Sequence, residues 1–142
     1  MTDFARLRGK GNAETYAYLL ELERRSAAGD ELYADFDAFL RLLEDPSSCV
    51  RTRGFRLCCA QAPWDRQNKL KANADVLLWR LGDEKPAVVR QCLAALRSVL
   101  LYKPELGEAI VARIAALDLS KYKDSMRPLI EKDIAALRAL CE

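Results

Sequence analysis

The stretch Leu42-Leu43-Glu44-Asp45-Pro46, running on to Val50-Arg51, decides how this chain reads, because it returns as Leu81-Gly82-Asp83-Glu84-Lys85-Pro86 running on to Val89-Arg90. The two Val-Arg pairs lie 39 residues apart, and the same shift lays Phe39 on Leu78, Leu42 on Leu81, Val50 on Val89 and Leu57 on Leu96. A fixed period of about 40 residues with helical patterning predicts an α-solenoid of stacked helix pairs. A weaker third copy follows, in which Met126-Arg127 answers Val89-Arg90 and Ile130 and Leu137 answer Leu93 and Leu100.

Upstream of the first copy, Asn12 to Ala28 carries Tyr16, Leu19, Leu20 and Leu22 among charges and stops at Gly29, as a helix would. A short leader helix around Phe4 to Leu7 is expected before it. Leu32, Phe36, Phe39, Leu40 and Leu43 recur at spacings of three and four and predict one helix capped by Asp30. The next runs from about Ser48 to Ala62, with Val50, Leu57 and Cys58 inward, and Pro63 ends it. Asp65 is the expected cap of a helix on which Leu70, Ala74, Leu77, Leu78 and Leu81 form one stripe while Trp79 faces away from Leu70. Pro86 opens a long apolar helix that Tyr102-Lys103-Pro104 breaks. Leu106, Ile110, Ile114 and Leu117 mark a further helix. Met126, Ile130, Ile134, Leu137 and Cys141 mark the last, starting near Asp124 with Pro128 in its opening turn. The expected fold is all-α and a single domain over residues 1–142.

Composition narrows the function. With 51% apolar and 31% charged residues the chain should fold, and its 142 residues suffice for a core without disulfides or metal. A net charge of +2 over 23 basic and 21 acidic residues gives no general pull toward nucleic acid or acidic membranes. No basic-then-apolar leader opens the chain and no apolar run nears the roughly 18 residues that span a bilayer, so the expectation is a soluble, cytoplasmic protein with no membrane contact. The five cysteines, Cys49, Cys58, Cys59, Cys92 and Cys141, form no C-x-x-C pair and read as reduced, buried thiols. The chain has no histidine, which removes imidazole bases, Ser-His and Cys-His nucleophile pairs and most zinc and haem sites. Phosphate-loop, nucleophile-elbow and dinucleotide patterns are missing too, and Asp35 and Asp37 diverge on a helix and make no dyad. No catalytic residue, cofactor or metal ligand is expected.

At Asp45-Pro46 to Val50-Arg51, its second copy through Val89-Arg90, and the Arg127 echo, the chain resembles HEAT repeats over about residues 30 to 142. In that family an acidic residue ends the turn within a repeat and a Val-Arg pair opens the second helix. The resemblance implies a right-handed α–α superhelix of HEAT-like pairs, with Arg51, Arg90 and Arg127 as a structural ladder reaching Asp45, Asp83, Glu84 and Asp124. The strings Val50-Arg51-Thr52-Arg53-Gly54-Phe55-Arg56-Leu57, Trp64-Asp65 and Tyr122-Lys123-Asp124-Ser125-Met126 are also similar to a group of short bacterial HEAT-like proteins, some labelled as iron–sulfur assembly (SufBD) proteins.

Three functional expectations follow. The first is a non-enzymatic interaction module or scaffold whose concave groove holds a protein or peptide segment. Arg53, Arg56 and Arg97 are its contact residues, in a basic stripe with Arg66, Lys69 and Lys71 that suits an acidic partner. The second is a nucleic-acid-binding or base-excision protein, because some HEAT-like DNA glycosylases resemble this chain in placing Trp, Asp and Arg on a concave face; Trp64, Asp65 and Trp79 would serve. Interspersed acids and the lack of aromatic-basic alternation make nucleic acid the less expected partner. The third, an iron–sulfur adaptor, meets an obstacle in Cys58 and Cys59, which as helix neighbours diverge by about 100°. The apolar last helix, with Ile134, Leu137 and Leu140, leaves a homodimer open.

Overall fold

The computed structural model describes residues 1–141. Regular structure among them is helical throughout, and the chain divides into two compact units, Met1–Leu70 and the residues from Lys71 on.

The first unit is built around α4 (Ser48–Ala60). Ser47 caps it by accepting from the Val50 N–H, and Asp45 steadies the approach by accepting from the Ser47 N–H at 2.9 Å. Val50, Phe55, Leu57, Cys58 and Cys59 are buried along it, and α4 packs on α3 (Phe36–Arg41), on the Leu42–Glu44 3-10 turn and on α2 (Ala13–Ala28). The closest approach falls at Gly54, where a Cβ would lie 2.7 Å from Leu42 Cβ and 2.8 Å from the Phe39 carbonyl oxygen. Phe36, Phe39 and Phe55 are wholly enclosed here, each contributing about 1.5–3 kcal/mol by the apolar area it removes from water. The leader α1 (Phe4–Leu7) does form; it buries Leu7 and sets Phe4 against Phe39 with ring centres 5.7 Å apart.

Two helices expected to be continuous are interrupted. Between Leu32 and Leu43 the chain makes a 3-10 turn (Tyr33–Asp35), then α3, then the Leu42–Glu44 turn. Asp30 does not cap it; its carboxylate pairs with Arg66 at 2.7 Å. The stretch after Asp65 likewise splits into α5 (Lys69–Ala72), α6 (Ala74–Trp79) and a 3-10 turn (Arg80–Gly82), with Asn73 out of helical geometry between α5 and α6. The break annuls the helical-wheel argument that set Trp79 opposite Leu70.

The second unit is organised by α7 (Pro86–Tyr102), which buries Val88, Val89, Cys92, Leu93, Leu96, Val99 and Leu100. It packs on the Arg80–Gly82 turn, on the Pro104–Leu106 turn and on α9 (Arg127–Ala139), while α8 (Gly107–Ala115) lies against α6. Pro86 and Pro128 occupy first turns, where a missing N–H costs nothing. The last helix starts at Arg127 and not near Asp124.

The repeated phrase is repeated as structure. Asp45 and Asp83 both follow a 3-10 turn in extended geometry, at φ −66°, ψ 143° and φ −58°, ψ 148°, and each accepts the N–H two residues on at 2.9 Å. The two aspartates are 38 residues apart while the Val-Arg pairs are 39 apart, so the second copy carries one extra residue.

Candidate functional site

The ladder arginines do not behave alike. Arg51 stands six residues past Asp45 and turns back, its Nη1 donating to the carbonyls of Asp45 and Pro46, both at 2.9 Å. Arg90 stands seven past Asp83, and one residue rotates a helical side chain by about 100°. It reaches instead across to α9, where Nε donates to Asp133 at 2.7 Å. Arg127 pairs with Asp124 three residues before it. Asp124, one of the expected carboxylate partners, is thus paired with Arg127, and Arg90 takes Asp133, which was not among them.

The expected contact stripe is dispersed. Arg53 is 5% exposed, and its Nη1 donates to the carbonyls of Leu7 at 2.7 Å and Gly9 at 2.8 Å. It ties the leader to α4 and is not presented to a partner, which corrects its assignment as a contact residue. The spacing held the signal: Arg53 is three residues after Val50 and four before Leu57, on the core face. Arg56 is half-buried and forks onto Glu23 at 2.7 and 3.0 Å. Burial opposes its charge, but the Glu23 fork outweighs this and raises its pKa. Arg97 is exposed on α7.

Trp64 and Asp65 are engaged within their unit. The Trp64 indole N–H donates to the Ser26 carbonyl at 2.7 Å. Asp65, 2% exposed, accepts from the Tyr33 hydroxyl at 2.6 Å and from the N–H groups of Lys69 and Leu70 at 2.8 and 3.0 Å. It starts α5, as the sequence predicts. Burial, followed by the Asp65 bond, pushes the Tyr33 hydroxyl up to about 12.

Cys58, Cys59 and Cys92 are buried, whereas Cys49 and Cys141 are exposed, contrary to expectation. Burial, helped by the charge of Asp37, raises the pKa of the Cys58 thiol. No group of three or more metal-ligating side chains occurs among the described residues. No helix among them is long and apolar enough to cross a membrane.

The arrangement with most to offer a ligand lies at the end of α6. Trp79 is 71% exposed, far more than its size favours, and the Arg113 guanidinium lies 5.7 Å from its ring centre. The indole stands at a cleft of about 350 Å³ that Arg80, Asp83, Arg113, Leu117, Asp118, Lys121 and Tyr122 also line. Its wall is made by side chains that take the carbonyls where α6 and its 3-10 turn run out. Arg113 Nε donates to Leu78 at 2.9 Å, Lys121 Nζ to Gly82 at 2.7 Å, and the Tyr122 hydroxyl to Asp83. Cations suit that position, because the carbonyl end of a helix is the negative end of its dipole. Burial, then the charges of Asp83 and Asp118, raises the Tyr122 pKa, so the hydroxyl remains a donor.

Arg80, Arg113, Lys121 and Tyr122 were missed as site residues. A signal did exist: Lys121 and Tyr122 each sit 39 positions beyond the residue they bind, the step that separates Arg51 from Arg90. The chain matches no protein-family model, no curated protein and no solved structure.

Proposed function

We propose that this protein is a non-enzymatic binding module built from HEAT-like helix pairs, and that it seats a peptide segment of a partner in the cleft beside Trp79. The observation that carries the reading is the exposure of Trp79, 71%, on a wall fixed by hydrogen bonds from Arg113, Lys121 and Tyr122. An exposed indole on a pre-organised wall offers large apolar contact with little entropy to lose. The repeated aspartate turns and the contacts one period apart support the HEAT-like assignment. The base-excision reading has less support, because Trp64 and Asp65 are occupied by Ser26, Tyr33 and the start of α5.

The test is selection of displayed random peptides on the wild-type protein, with recovered sequences re-measured on a Trp79→Ala variant. Peptides that bind the wild type and lose binding to the variant are expected. Recovery of none, or equal binding to both, refutes the reading.

A further inference from the structure

We infer that the occupant of the Trp79 cleft is an acidic peptide segment, with an apolar side chain against the indole and a neighbouring carboxylate received by Arg113 and Lys121. This rests on the peptide-binding reading above and adds the chemical class of the partner.

Cations outnumber anions in the lining of the cleft. Arg113 and Lys121 direct their hydrogen bonds at backbone carbonyls of Leu78, Trp79 and Gly82, which carry partial charge only, so their full positive charge is not cancelled by those partners. Lys121 is exposed and Arg113 half-buried, and Arg80 adds a third cation to the lining. The two carboxylates of the cleft hydrogen-bond within their own turns but keep their charge, and Asp118 also acts on Lys121, so three cations stand against two anions in the lining. Asp118 Oδ1 accepts from the Ser120 N–H at 3.0 Å and hydroxyl at 2.6 Å, and Asp83 Oδ1 accepts from the Lys85 N–H at 2.9 Å. The lining therefore offers an aromatic face with cationic groups beside it, which complements a carboxylate adjoining an apolar group.

A single-stranded nucleic acid would bring negative charge too, but its bases stack on successive aromatic faces. Here Tyr122 is 6% exposed and Trp79 alone among the lining aromatics presents its ring. A peptide fits the lining better.

The peptides recovered by selection supply the probe. Their sequences should be enriched in Asp or Glu next to Leu, Phe or Trp. A synthetic copy should bind about tenfold more weakly when its acidic residue is replaced by the amide. Raising sodium chloride from about 50 mM to about 0.5 M should weaken the acidic peptide and spare the amide form. Lys121→Gln, which keeps a donor for the Gly82 carbonyl, should weaken the acidic peptide and leave the amide peptide unchanged, with circular dichroism confirming the fold. Peptides that depend on Trp79 but are neutral or basic, or that ignore Lys121→Gln, overturn the acidic class and leave the cleft reading standing. No recovered peptide, or displacement of every peptide by a short single-stranded oligonucleotide that binds more tightly, overturns both.

Discussion

Arg53 and Leu7 are joined by a 2.7 Å hydrogen bond across 46 positions of sequence, from a guanidinium that is 5% exposed to the last carbonyl of a four-residue helix. The leader is too short to hold itself as a helix, so its place depends on this contact and on burial of Leu7.

Arg53→Met should therefore cost roughly 2–4 kcal/mol, since the carbonyls of Leu7 and Gly9 lose a charged donor in a buried setting. Urea denaturation measures it. A change below about 0.5 kcal/mol, within the range of ordinary surface substitutions, would mean the leader is held otherwise.

The crossing at Gly54 gives a second prediction. Gly54→Ala should destabilise by about 1–3 kcal/mol, because the methyl meets Leu42 Cβ and the Phe39 carbonyl, neither of which is a flexible tip. Gly29→Ala is the control: nothing lies within 4 Å of its Cβ position, and its backbone is extended at φ −177°. It should be neutral or stabilising by about 0.4–1 kcal/mol, through the unfolded chain.

Tyr33 predicts an alkaline limit. Its hydroxyl is raised from 10.0 to about 12 in the folded protein, so the folded state retains a proton that the unfolded state has released. Stability from this group is complete below about pH 10 and is lost as pH rises toward 12. Between those values the wild type should lose stability more steeply than Tyr33→Phe. Parallel curves would show that Tyr33 ionises freely in the fold.

Thiol labelling should divide the cysteines. Cys49 and Cys141 should react quickly with an aromatic disulfide, and Cys58, Cys59 and Cys92 only on unfolding, as burial withholds access to all three and at Cys58 also disfavours the thiolate. Fast reaction of a third thiol would place one of the buried cysteines at the surface.

The helical class and most core positions were legible because apolar residues at three- and four-residue spacing survive any local distortion. The Asp45 and Asp83 turns were legible for a similar reason: an aspartate one to three residues before a proline specifies its own local bond to the residue two on. The break at Asn73 was not, because no Gly or Pro marks it. Arg53 was misassigned because its charge outweighed its register between Val50 and Leu57. Arg113 and Lys121 were invisible as members of the Trp79 cleft, since their positions are set by carbonyls at the end of α6 and its 3-10 turn, which a sequence of side chains does not display.

The central claim, that Trp79 is a contact for a partner peptide, is tested most directly by fluorescence in a Trp64→Phe variant, which leaves Trp79 as the sole indole of the two in the chain. Titration with a peptide selected on the wild type should shift the Trp79 emission to the blue and saturate at the affinity found by an independent binding assay. A peptide that binds in that assay while the emission stays that of an indole in water would place the binding site elsewhere and contradict the account.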